Sequence, residues 1–293
     1  DKRMSDYVIL TDSSCDLPAE LADQMQLTVL PLTVDMDGKL YRNYLDGREI
    51  GFHEFFERVV TAKSAKTSAV TSEQFMEVLE PLCQAGVDVL YLAFSSGLSG
   101  TYNSGAIAMR ELSEKYPERK LYAVDSLCAS LGEGLFVDLC HEKKQAGMSI
   151  DELRDYAESL KLHICHWFTV NDLMFLKRGG RVSAATAIVG SVLSIKPVMH
   201  MDNEGHLIKV DVARGRKASL RALVVRMEKL ATEPEKQRVY ICHGDCREDA
   251  EYVASLVREK FGITDIRINY VGPVIGAHTG PGVVSLFFVG SER

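Results

Sequence analysis

The sequence predicts an α/β protein of two domains, an N-terminal mostly parallel three-layer α/β domain over residues 1–162 and a C-terminal mixed-sheet α/β domain with helices packed on it over residues 163–293. Three observations predict it. Apolar runs and amphipathic stretches alternate through the first half, the order that builds a parallel sheet covered by helices. The second half carries hairpin-like pairs of runs and two long amphipathic stretches, which suits a mixed sheet with helices on one face. The chain's 293 residues are enough for two cores.

Taken in order, residues 7–10 form an apolar strand, and Leu17-Pro18-Ala19-Glu20 opens a helix to about Met25, with Pro18 preset for a first turn. Residues 27–34 read as one strand, and Asp37-Gly38 as a turn. A helix over 51–62 puts Phe52, Phe55, Phe56 and Val59 on one face. Thr71 or Ser72 caps a helix over 73–85. The apolar run 87–93 suits a buried parallel strand, and 102–112 carries Ala106, Ala108, Met109 and Leu112 at near-helical spacing. Residues 120–124 make another strand, ending at Asp125-Ser126, before helices over 133–145 and 150–160.

The domain change is expected between Leu160 and Ile164, followed by a strand over 163–170. A short helix over 173–177 stops at Gly179-Gly180, and 184–193 is apolar nearly all round, the pattern of a buried helix. Segments 197–201 and 207–212 flank Asp202-Asn203-Glu204-Gly205 as a hairpin. Amphipathic helices over 218–231 and 249–261 then sit among strands over 238–242, 265–270 and 283–289.

Hydrophobic content of 46% and charged content of 26% are those of an ordinary globular protein. A formal net charge of −7 argues against nucleic acid as a partner, because phosphate binding needs a basic surface. No apolar run approaches the ~20 residues that span a bilayer, and no signal-peptide pattern opens the chain. The expectation is a cytoplasmic protein without stable membrane insertion, transient membrane contact remaining open. The scattered cysteines Cys15, Cys83, Cys128, Cys140, Cys165, Cys242 and Cys246 fit reduced thiols better than a disulfide framework. Cys242-His243-Gly244-Asp245-Cys246 offers two thiols and an imidazole, yet no second Cys/His pair stands at zinc-site spacing. It follows an apolar run, so Cys242 reads as core, His243 as a strand-end polar residue, and no metal is expected.

One segment points to a ligand. Phe94-Ser95-Ser96-Gly97-Leu98-Ser99-Gly100-Thr101 lies between a strand and a helix, where free backbone N–H groups, hydroxyls and the helix dipole favour an anion. The carboxyl end of a parallel strand is also where open α/β sheets bind ligands. Taken alone, the segment better suits a Ser/Thr N-cap with a glycine turn and no ligand. Catalytic signatures are missing: Gly97-Leu98-Ser99-Gly100-Thr101 lacks the final glycine of a nucleophile elbow, and Gly132-Glu133-Gly134 lacks the third glycine of a dinucleotide loop. There is neither a Gly-Lys-Ser/Thr phosphate loop nor a zinc-protease His-Glu-x-x-His, so a binder is the better reading than an enzyme.

Five segments in order, Thr11-Asp12-Ser13-Ser14-Cys15-Asp16-Leu17-Pro18, Lys66-Thr67-Ser68, Ser96-Gly97-Leu98-Ser99-Gly100-Thr101, Leu176-Lys177-Arg178-Gly179-Gly180-Arg181-Val182 and Gly272-Pro273-Val274-Ile275-Gly276-Ala277-His278-Thr279-Gly280, closely resemble the DegV family. These are bacterial fatty-acid-binding proteins, some of which are the acyl-presenting subunit of a fatty acid kinase. The resemblance runs from about Tyr7 to about Val289. It implies a long-chain fatty acid such as palmitate or oleate as ligand and no cofactor. It also implies a separate ATP-dependent kinase that makes acyl phosphate for phospholipid synthesis. Thr67 and Ser99 would hold the carboxylate; Arg181, Arg214 and His278 would lie near it or face the kinase, with Arg216 an alternative to Arg214. The chain itself would contribute no catalytic residue.

Such a site has physical requirements. Burial at about 0.8 kcal/mol per CH₂ gives a palmitoyl tail roughly 11 kcal/mol gross, part of which is lost in ordering it. The carboxylate needs donors, each contributing about 1.5–3 kcal/mol net. Hydroxyls leave it nucleophilic, whereas an arginine would lock it in an ion pair. Ser68, Ser95 and Ser96 read as turn and cap residues. The 184–193 stretch and residues near Phe168, Met199 and Phe287 are candidates for the tail slot, though each also suits plain core. Small residues such as Ala184, Ala185, Ala187 and Gly190 leave room for a chain between the domains. Two rivals stand beside this reading: a lipid or ester hydrolase using Ser99 with His278, which needs a carboxylate behind the imidazole, and a lipid sensor without a kinase partner.

Overall fold

The computed structural model describes residues 7–183 and 194–293, so the expected 184–193 helix, with its small residues, lies outside the described residues. The first large sheet is four-stranded and parallel, in the order β2-β1-β6-β7, from Thr28–Leu30 (β2), Tyr7–Asp12 (β1), Asp88–Phe94 (β6) and Leu121–Cys128 (β7). Helices α3 (Ser72–Gln84) and α4 (Thr101–Lys115) cover one face, where Phe75, Leu79, Ala108 and Leu112 meet Leu10, Val89 and Tyr91. Helices α5 (Leu131–Gln145) and α6 (Ile150–Leu160) cover the other, through Leu135, Phe136, Leu153 and Ala157 against Ile9, Leu90, Leu92 and Val124. This is the expected parallel three-layer arrangement. Capping boxes start α3 and α6, Thr71 with Gln74 and Ser149 with Glu152, each satisfying two otherwise free N–H groups.

The second large sheet is six-stranded and mixed, in the order β10-β9-β8-β13-β11-β12. Its strands are Leu207–Arg214 (β10), Ile195–Met201 (β9), Ile164–Thr169 (β8), Val284–Val289 (β13), Val239–His243 (β11) and Ile266–Tyr270 (β12). In this sheet β9 and β10 form the expected hairpin, whereas β11 and β12 run parallel, joined through a helix. Helices α8 (Arg216–Leu230) and α9 (Arg247–Phe261) cover one face through Leu220, Leu223, Val253 and Val257. The other face turns toward α5, which packs on β8, β11 and β13 as well as on the parallel sheet. Helix α5 is accordingly buried from Leu131 to Asp138. One core cluster runs through it from Leu92 to Phe168, Tyr240 and Phe287.

The expected 27–34 strand is a correction. Pro31 has no N–H to give to a ladder, and the chain changes sheets there. β2 ends at Leu30, whereas Thr33–Met36 (β3) joins an antiparallel sheet, order β4-β3-β5, with Lys39–Arg42 (β4) and Ala65–Ser68 (β5). Against this small sheet pack α2 (Phe52–Val59) and the short helix α10 (Pro273–Thr279). The strand expected to end at Asp125-Ser126 continues to Cys128 through a register shift against Phe94. The remaining elements are α1 (Ala19–Gln24) and α7 (Met174–Arg178). Among the described residues no helix is long and apolar enough to cross a membrane.

Candidate functional site

A cavity of about 890 Å³, including the solvent at its mouth, lies where the small sheet, the β6–α4 turn and the mixed sheet meet. Its walls are mostly apolar, as those of small-molecule sites are. Leu32, Phe94 and Leu98 come from the N-terminal half, Phe168, Met201, Leu207 and Phe287 from the mixed sheet, and Val274 and Ile275 from α10. Phe168 and Phe287, candidates from sequence, line it; Met199 lies in the adjoining core.

Four expected polar residues converge on one part of the wall: Thr67, Ser99, Arg181 and His278. Thr67 belongs to β5 and is half-buried on a strand rather than in an exposed turn. Its Oγ1 lies 2.8 Å from His278 Nε2, a pairing between residues 211 apart in sequence. α10 carries His278, and Gly179 lets the ring in, since a Cβ there would stand 2.1 Å from Nδ1. Burial, with Arg181 adding to it, pushes the imidazole down to about 4, so the ring is neutral near pH 7. Nδ1 has no hydrogen-bond partner among the described residues. A buried N–H without an acceptor is the costlier orphan, so the single proton belongs on Nε2, donated to Thr67. That leaves the threonine O–H free to donate to a ligand.

Ser99 follows the same logic. Its Oγ accepts the Thr101 N–H at 3.2 Å and lies 2.9 Å from Thr101 Oγ1, which in turn accepts the Val70 N–H at 3.2 Å. Either hydroxyl can be the donor in the Ser99–Thr101 contact, and when Thr101 donates, the serine O–H is available to a ligand. Arg181 caps the corner. Its Nε and Nη2 donate to the Leu98 carbonyl at 3.2 and 2.8 Å, and its Nη1 to the Gly179 carbonyl. It is half-buried, burial lowers its pKa, and no carboxylate pairs with it among the described residues. Two hydroxyls beside a cation that has no carboxylate partner among the described residues are groups able to receive an anion.

Arg214 is not brought here: it ends the edge strand β10, exposed, and is absent from the cavity wall. Arg216 is engaged elsewhere, with Asp249 at 2.9 Å and the Gly282 carbonyl. The hydrolase arrangement is not formed either. Ser99 pairs with Thr101, His278 pairs with Thr67, and no acid stands behind Nδ1. Cys242 is buried with its thiol pushed up to about 12 by burial, His243 accepts the Cys246 N–H and lies against Tyr270 with the rings tilted at 47°, and no metal-binding cluster occurs among the described residues.

Sequence reasoning missed the polar residues elsewhere on the wall: Ser130, His166, Cys242 and Ser285. His166 is neutral and satisfied, accepting from Ala129 N at 3.1 Å and donating to the Ile164 carbonyl at 3.0 Å. Ser130 had a readable signal. It follows β7 as Ser99 follows the adjacent parallel strand β6, and both strand ends open onto the cavity.

A family model described as "Uncharacterised protein, DegV family" matches residues 6–291. A DegV domain-containing protein of Clostridium perfringens is 42% identical over 290 residues, covering 99% of both chains. Among solved structures, a DegV lipid binding protein from Thermotoga maritima superposes with a TM-score of 0.86 at 29% identity, covering 98% of this chain and 99% of that one. A DegV family protein from Thermus thermophilus, described for its fatty acid binding, gives 0.85 at 29% identity, covering 97% and 99%. The architecture described above, a parallel sheet and a mixed sheet with their helices, is theirs, and the chain belongs to the DegV family.

Proposed function

We propose that this protein binds one long-chain fatty acid, tail in the apolar slot and carboxylate on Thr67 and Ser99, and presents that carboxylate to a separate ATP-dependent kinase for acyl-phosphate formation. The observation that carries the reading is the wall itself: an apolar slot closed at one part by two hydroxyls, a neutral imidazole and Arg181. The lipid- and fatty-acid-binding descriptions of the two structural neighbours support it. A carboxylate held by neutral hydroxyls keeps its lone pairs available, as attack on a phosphoryl group requires. Arg181 and His278 are then placed for charge developing during transfer or for contact with the kinase.

Mass spectrometry of an organic extract tests the binding claim. A stoichiometric long-chain acid is expected, and an empty extract together with no uptake of palmitate or oleate would sink it. Thr67→Ala and Ser99→Ala should each weaken binding roughly ten- to a hundredfold, the loss of one charge-assisted hydrogen bond. With kinase and ATP supplied, Arg181→Ala should keep the lipid and lose acyl-phosphate formation; equal loss of both would place Arg181 in the seat alone.

A further inference from the structure

The first of the five family-like segments lies outside the cavity wall. Thr11-Asp12-Ser13-Ser14-Cys15-Asp16 closes β1 with a turn, and none of its side chains lines the cavity. Yet Asp12, Ser13 and Asp16 are all buried, and each reaches sideways to a different segment of the cavity wall.

Asp12 Oδ2 accepts the Phe94 N–H at 3.0 Å and the Tyr91 hydroxyl at 2.6 Å, while Oδ1 caps its own turn at Ser14 N. Ser13 Oγ accepts the Leu32 N–H at 2.9 Å, the amide left without a ladder partner where Pro31 breaks the strand. Asp16 Oδ2 accepts the Ser130 hydroxyl at 2.7 Å, and its carboxyl group also takes the Gly272 N–H. Asn269 Nδ2 donates to the Asp16 carbonyl at 2.9 Å. Phe94, Leu32 and Ser130 are wall residues, and Gly272 sits between Val271 and Val274, which are also wall residues. The contacts are tight: a Cβ on Gly272 would stand 2.6 Å from Asp16 Oδ1. Ser130 itself is held at φ 52, ψ −140, a backbone region open almost only to glycine, which persists only where surrounding contacts over-determine it.

We propose that this turn is the frame of the slot: Asp12, Ser13 and Asp16 are positioning residues that fix four separate wall segments and so set the width available to the acyl chain. The proposal rests on the fatty-acid reading for what the slot holds, though not for the framing itself. Four wall segments drawn from both halves of the chain converge on one buried turn, and hydrogen bonds to buried polar side chains are directional and costly to break. Substituting Asp12, Ser13 or Asp16 alters the slot from positions that do not themselves line it.

The test uses Asp16→Ala, Ser13→Ala and the milder Asp16→Asn, measured well below their melting temperatures on samples whose circular dichroism matches the parent. Amide hydrogen exchange should accelerate selectively at Leu32 in Ser13→Ala and at Gly272 in Asp16→Ala, with the α8–α9 side unchanged. Palmitate affinity should fall about tenfold or more in both alanine variants, and Asp16→Asn, which keeps one acceptor, should recover part of it. Folded variants that bind palmitate as the parent does would overturn the proposal, as would unchanged exchange at both amides. Should Asp16→Ala fail to fold, Ser13→Ala and Asp16→Asn carry the same two readouts. A parent protein that binds no fatty acid would instead refute the function proposed above, while the exchange arm still decides the framing.

Discussion

At the scale of single residues the site turns on how closely His278 is confined. Gly179 has an ordinary helical backbone, φ −78, so an added methyl brings no strain of its own, only the 2.1 Å collision with Nδ1. Gly179→Ala should therefore push the ring off Thr67 and weaken fatty-acid binding about tenfold or more by calorimetry. Gly180→Ala is the control: φ +75 with open space around it predicts about 1 kcal/mol of lost stability and unchanged binding. The buried imidazole also gives a pH prediction. Its folded value of about 4 lies below the ~6.5 of an unfolded histidine, so between these values the unfolded chain binds a proton the folded chain refuses. Stability is lost as pH falls through that window, on the order of 3 kcal/mol from this group, and is unaffected by it above. The melting temperature of the parent relative to His278→Gln should thus drop between pH 7.5 and 4.5; a pH-independent difference would mean the imidazole titrates freely.

At the scale of elements, the β9–β10 hairpin reaches across to the turn that carries Ser99. Ser95 Oγ donates to the Gly205 carbonyl at 2.9 Å and accepts the Gly97 N–H at 3.1 Å. A Cβ on Gly205 would lie 2.1 Å from that hydroxyl, on a backbone already at φ +77. Gly205→Ala should cost roughly 2 kcal/mol or more, from collision and strain together, and should speed hydrogen exchange across residues 95–99; a variant with parental stability would show that the hairpin tip shifts freely. The hairpin itself was legible, because Asp202-Asn203-Glu204-Gly205 between two apolar runs is local turn chemistry. Its docking on Ser95 was not, since no periodicity encodes which surface a turn meets. The small sheet escaped for another reason. Thr33–Met36 and Ala65–Ser68 are four residues each, two of them polar in the first and three in the second, too short for a two-residue alternation to stand out from loop. No periodicity therefore marks Thr67 as a strand residue, and its identity as a site residue comes through the family resemblance.

At the scale of the whole molecule, what unites the chain is the arrangement around α5 and the slot. The change of sheets near Ile164 could be read from the switch in element order, but the shared core through α5 could not, because a helix apolar on two faces looks in sequence like any buried helix. The slot draws its walls from the small sheet, the parallel-sheet turns and the mixed sheet alike. A bound acyl chain therefore touches all three, and its binding energy adds to the cohesion of the entire fold rather than of one half. A ligand present at a hundred times its Kd adds about 2.7 kcal/mol to the stability of whatever unit must unfold to release it. For a chain of this size that corresponds to roughly 5 °C. Palmitate should accordingly shift one cooperative transition, seen alike by circular dichroism and by the fluorescence of Trp167 on β8, and Thr67→Ala combined with Ser99→Ala should abolish most of the shift. Two transitions, only one of them moved by the acid, would instead locate the ligand within a single half of the molecule.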